Sequence, residues 1–139
     1  MNREILFKAK RKNWRELPEE EWWVEGNLIT NEREEGTAYI GYIFDVHNGV
    51  IEDFDIVEVD PKTICQYTGL TDKNGKRIWE NDIVLCESGE ACMGYREFRE
   101  TILVDSISNW QTMQILSECE DLKRLGNVFD NPELLGGAV

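Results

Sequence analysis

A chain of 139 residues with 41% hydrophobic, 31% charged and 10% aromatic residues and only 3 Pro can bury a real core, which excludes a disordered or collagen-like polymer. Its 15 Lys plus Arg against 28 Asp plus Glu leave a net charge of −13, so the molecule as a whole repels nucleic acid and anionic lipid. No unbroken apolar run approaches the roughly 18 residues of a membrane span, and Met1 leads into charged residues instead of a signal-peptide core, so a cytoplasmic protein is expected.

Short strands bounded by polar or Gly residues are predicted at 4–9 and 22–29. In the second, the adjacent Trp22 and Trp23 point to opposite faces, and only one of them can enter a single-layer core. The other is either covered by the basic N-terminal segment, through a cation–π contact from a base such as Arg15, or is an aromatic anchor for a protein partner. Residues 39–46 and 50–57 are rich in β-branched and aromatic residues and flank His47-Asn48-Gly49. Asn-Gly takes positive φ at little cost, so this segment reads as a β-hairpin. Asp60-Pro61 is the natural seam between an acidic β-rich subdomain (1–60) and a C-terminal β domain (61–139), whether these form one core or two. A looser hairpin joins 67–70 to 77–79 around Asn74-Gly75, with Asp72 placed to bond backbone amides of the turn. Strands at 82–86 and 98–104 follow. From 109 to 125, Trp110, Met113, Leu116, Cys119, Leu122 and Leu125 recur every three residues, which suits a helix, while 106–115 suits a hairpin arm equally well.

Charge is unevenly spread along these elements. Residues 1–15 hold six bases (Arg3, Lys8, Lys10, Arg11, Lys12, Arg15) against Glu4, whereas 16–60 hold fourteen acids against Arg33 alone. The basic start either pairs with the acidic middle within the molecule, or the acidic middle is an interaction face for a basic partner.

Little of the sequence carries chemistry. Cys65, Cys86, Cys92 and Cys119 form no Cys-x-x-Cys pair, so zinc is not expected and the thiols read as free core residues of a reducing compartment. His47 beside its turn reads as a surface imidazole. Asp72 cannot open an EF-hand loop, because Arg77 would stand where Gly is needed and Ile83 where the bidentate Glu is needed. The acid runs supply no cleft that would set two carboxyls at a fixed separation, and the common nucleotide-binding and hydrolase motifs are absent. The reading is a non-enzyme with no cofactor and no metal.

The segment Gln66-Tyr67-Thr68-Gly69-Leu70-Thr71-Asp72-Lys73-Asn74-Gly75-Lys76-Arg77-Ile78-Trp79-Glu80-Asn81-Asp82-Ile83-Val84 resembles the YopX family of phage and prophage proteins. Residues 3–10, the segment Trp23-Val24-Glu25-Gly26 and the tail 126–135 fall in the same order. Asn81 departs from the family's usual Gly before Asp-Ile-Val, but Asn also tolerates the left-handed conformation. The acidic stretch 32–35 and the segment 87–98 are less family-like. The resemblance implies a mainly β phage accessory protein without an assigned biochemical role. The motif itself, a strand, a tight corner and a further strand, suits an SH3-like small barrel in the C-terminal half, on which the N-terminal hairpin subdomain would pack. Tyr67, Leu70, Ile78, Ile83 and Leu85 are then core candidates.

Three modes of action follow. The first is protein–protein contact with an unknown partner, including self-association through an exposed strand edge, for which Trp22 and Trp23 are candidate contacts. The second is nucleic-acid mimicry toward a basic host protein through Glu34, Glu35, Asp53 and Asp55. The third, direct nucleic-acid binding through Arg3, Lys8, Lys10, Arg11 and Lys12, is disfavoured by the net charge.

Overall fold

The computed structural model describes residues 5–88 and 98–135. Arg3, Cys92 and most of the 87–98 segment lie outside them. Two compact units divide the chain, Met1–Gln66 and Tyr67–Val139. The division lies a few residues beyond the Asp60-Pro61 seam for a local reason. Asp60 caps a 3-10 turn at Pro61–Thr63 by accepting the Lys62 N–H, and Thr63 Oγ1 accepts the N–H of Lys10 at 2.8 Å. The proline therefore closes this sheet instead of leaving it.

In the first unit, β1 (Phe7–Lys10), β2 (Trp23–Thr30), β3 (Ala38–His47) and β4 (Val50–Val59) form an antiparallel sheet in the order β4-β3-β2-β1. Phe7 and Lys8 of β1 also pair with Gln66 and Cys65, at the start of β5 (Cys65–Thr71). One face of this sheet carries the core of Ala9, Val24, Ala38, Ile40 and Val59. The β3–β4 turn has φ of 54° at Asn48 and 79° at Gly49, the paired positive values that let two residues reverse a twisted hairpin. Gly26 permits close strand packing: a Cβ there would run into the carbonyl oxygen of Gly41.

The second unit holds the hairpin of β5 with β6 (Arg77–Trp79). It also holds an antiparallel sheet β8-β7-β9 made of β7 (Asp82–Ser88), β8 (Phe98–Leu103) and β9 (Asp121–Asn127), with the helix α1 (Trp110–Glu118) between β8 and β9 in sequence. Ile78, Val84, Cys86, Val104, Leu116 and Leu122 form its core. Tyr67, Ile78 and Ile83 are buried as expected, while Leu70 and Leu85 are half-buried. Asn81 takes a φ of 71°, the left-handed corner its position requires. The fold is mainly β, and among the described residues the sheets are open, with no closed barrel.

The ambiguous 109–125 stretch contains both elements. Asn109 caps α1 by accepting the N–H groups of Gln111 and Thr112, and the helix ends where Cys119 turns extended at ψ 137°. Glu118, Glu120 and Asp121 crowd that end, where the helix dipole disfavours negative charge. Leu122 therefore enters the core from β9 and not from the helix. Cys86 of β7 and Cys119 at the end of α1 form a disulfide with Cα atoms 5.9 Å apart, which corrects the expectation of free thiols for this pair. Cys65 is buried, and its thiol donates to the Thr63 carbonyl at 3.2 Å.

Candidate functional site

The carboxylates of the 66–84 motif are occupied in holding the fold. Asp72 Oδ1 accepts the N–H groups of Asn74 and Lys76, both at 2.9 Å, and its Oδ2 accepts the Arg124 N–H at 3.0 Å. Burial pushes its pKa up, but these backbone donors outweigh burial and hold it below the usual aspartate value. Asp82, fully buried, accepts the Trp79 N–H at 2.8 Å and the Arg124 Nε–H at 3.0 Å through Oδ2. Turn, corner and β9 are thus stitched together by two aspartates.

The aromatic and basic N-terminal residues form a second cluster. Lys10 is 2% exposed, and its Nζ lies 3.8 Å from the ring centre of Trp14 and 4.4 Å from that of Trp22. Lys8 Nζ lies 4.6 Å from the ring of Trp23. Trp22 and Trp23 do not alternate as in a regular strand, because Glu19–Glu21 form a 3-10 turn that leaves Trp22 in a helical conformation just before β2. Both rings are half-buried and covered by lysines. Arg15, the base expected over one of them, stacks on Trp14 instead, at 4.3 Å. Arg11 donates to the carbonyl of Glu21, and Lys12 pairs with Glu58 at 3.0 Å.

The acidic candidates lie elsewhere in the same unit, all of them exposed. Glu34 and Glu35 occupy the β2–β3 connection, where Glu34 accepts the Tyr39 hydroxyl at 3.0 Å and raises the pKa of that phenol. Asp53 and Asp55 lie on β4. Asp55 accepts the Tyr42 hydroxyl and the N–H of Ile56, whereas Asp53 stands directly opposite Asp45 of β3. A like-charged cross-strand pair is unfavourable, and the sequence has no Lys or Arg between Arg33 and Lys62 to relieve it.

Sequence reasoning missed the apolar surface of this hairpin. Ile43 pairs with Phe54, Gly41 with Ile56 and Gly41 with Asn27, so these residues share the face opposite the core. Ile43, Phe54 and Ile56 are about half exposed or more, as are Val46, Val50 and Ile51 toward the tip. With no side chain on Gly41, Ile43, Ile51, Phe54 and Ile56 border a groove of about 320 Å³, contiguous through Ile29 and Ile56 with a second of about 520 Å³ beside Glu32 and Glu34. The signal was present in the sequence: 40–43 and 54–57 carry large apolar residues at both odd and even positions, although only one face of the sheet bears a core.

The YopX protein family model matches residues 13–136. The chain belongs to the YopX family. No curated protein matches it. A similar solved structure is the crystal structure of protein EF1440 from Enterococcus faecalis, 21% identical, with 96% of this chain and 99% of that one covered at a TM-score of 0.46. In this YopX chain the family-like motif is the part spent on the fold, and the exposed apolar face lies outside it, on β3 and β4. Among the described residues no cluster of His, Cys, Asp and Glu is arranged to hold a metal ion, and no helix is long and apolar enough to cross a membrane.

Proposed function

We propose that this protein is a non-enzymatic accessory protein of phage origin that acts by binding another protein through its β3–β4 hairpin. The observation that carries the reading is the concentration of exposed large apolar side chains on that one hairpin, from Ile43 to Ile56. Contiguous exposed apolar surface costs solubility and marks interaction sites. The motif carboxylates support a role without catalysis, since Asp72 and Asp82 are tied to backbone N–H groups and Arg124. Lys8 and Lys10, buried against tryptophan rings, are poor donors to a phosphate backbone, which weighs against direct nucleic-acid binding. An SH3-like descent of the C-terminal unit fits the left-handed corner at Asn81 followed by β7, with the sheet left open.

Mimicry of nucleic acid by the acidic hairpin is a second reading, favoured by the opposed Asp45 and Asp53. Capture from bacterial lysate by the tagged, nuclease-treated protein tests both. Ile43→Ser and Phe54→Ser should each abolish capture that an exposed change in the other unit, Lys123→Ala, leaves intact. Identical captured sets for all of these proteins would refute the hairpin reading. Capture that disappears in high salt but survives Phe54→Ser would favour mimicry.

A further inference from the structure

We propose that the hairpin's partner is an extended segment of alternating cationic and apolar residues, which adds to the open edge of β4 as a further antiparallel strand. This identity of the partner rests on the protein-binding reading above. The first support is the edge. Among the described residues β4 ends the strand order, and Arg11 and Lys12 cover its last residues alone, through the Arg11–Val59 bridge and the Lys12 N–H bond to the Glu58 carbonyl. Because Glu58 turns its carbonyl away from β3, as Ile56 does its N–H, which bonds the Asp55 carboxylate, the backbone of Phe54 points to the same side by alternation.

The second support is that the two faces beside this edge differ in chemistry. Phe54 and Ile56 stand with Ile43 on the apolar face, while Asp53 and Asp55 project to the other, where Asp53 already confronts Asp45. A strand laid against β4 must alternate in the same way, placing every second side chain over the groove and the others beside the carboxylates. Apolar residues fit the first set and Lys or Arg the second, since a cation between Asp45, Asp53 and Asp55 relieves repulsion that the chain leaves uncompensated. A second copy of the chain fits poorly. Antiparallel pairing of two β4 strands centred on Phe54 would bring Asp53 of one copy against Asp55 of the other, between molecules that each carry −13.

The test is fluorescence anisotropy of the full chain with a labelled, end-capped peptide Lys-Val-Lys-Leu-Lys-Val-Lys. Controls are the same composition in blocks, the Glu-for-Lys peptide, and the alternating peptide N-methylated along one backbone edge. The alternating peptide should bind saturably and the controls weakly or not at all. Asp53→Asn should weaken it about threefold, the effect of losing one exposed ion pair, and Phe54→Ser more strongly. Asp53→Asn should also raise the melting temperature, which separates a ligand-binding carboxylate from a structural one. Equal affinity for the block peptide, indifference to both substitutions, or no binding would overturn the proposal. A dimer in sedimentation that Phe54→Ser dissociates would overturn it in favour of self-association. Should the peptide fail while Phe54→Ser still abolishes lysate capture, the partner's chemistry is wrong and the hairpin reading stands; if both fail, both fall.

Discussion

Two carboxylates of the motif, Asp72 and Asp82, show how single residues hold the C-terminal unit. Asp72 has a folded pKa below its unfolded one, because three backbone N–H donors outweigh its burial. As pH falls, the unfolded chain takes up the proton first, so the contribution of Asp72 is complete above the unfolded value, about pH 4, and is lost as pH drops through the folded value. Asp72→Asn is therefore expected to cost about 1–3 kcal/mol in denaturant titrations at neutral pH, with the gap to the wild type closing below about pH 4. A gap constant with pH would show that geometry, and not charge, is what Asp72 supplies. Ile83, fully buried like Ile78 and Val84 of the same motif, gives a second test. Ile83→Ala should lower unfolding free energy by about 2–5 kcal/mol, and unchanged melting would remove it from the core.

Elements were legible in the sequence wherever local chemistry decides them. Asn48-Gly49 and Asn81 both stand in the left-handed region, and the hairpin that Asn48-Gly49 implies at 39–57 runs slightly longer as Ala38–Val59. Period alone could not decide 109–125, because Leu116 and Leu122 enter one core from different elements, α1 and β9. The pairing of Cys86 with Cys119 was equally hidden, since residues separated by 33 in sequence meet only through the path of α1. The candidate site was half legible. Asp53 and Asp55 were readable as acids, but which face of β4 they share depends on register, and the apolar groove depends on which face of the sheet takes the core. The disulfide makes its own prediction at this scale. It closes the stretch that contains β8 and α1, so reduction or Cys119→Ser should lower stability by up to about 3–4 kcal/mol on the loop-entropy model. Identical melting with and without reductant, in protein shown to be oxidised by thiol titration, would assign the pair no role in stability.

Charge at the scale of the whole molecule sets conditions that no single contact reveals. Among the described residues, Lys12 with Glu58 and Arg99 with Glu87 are exposed pairs, and such surface pairs contribute little. The Arg124–Asp82 pair is shielded from salt by the burial of Asp82. Repulsion among the remaining carboxylates, with 28 acids against 15 bases, acts over longer distances and is the part that salt screens. Raising NaCl from about 10 mM to about 150 mM, which brings the Debye length to about 8 Å, should therefore stabilise the protein. A gain of about 1 kcal/mol would raise the melting temperature by a few degrees in a chain of this size. Asp53→Asn should show a smaller salt increment than the wild type, because it removes one member of the directly opposed Asp45–Asp53 pair. A melting temperature that falls with salt would mean that attractive pairs outweigh the net charge. The acidic hairpin would then be held together by its charges, and a cation would have no repulsion to relieve there.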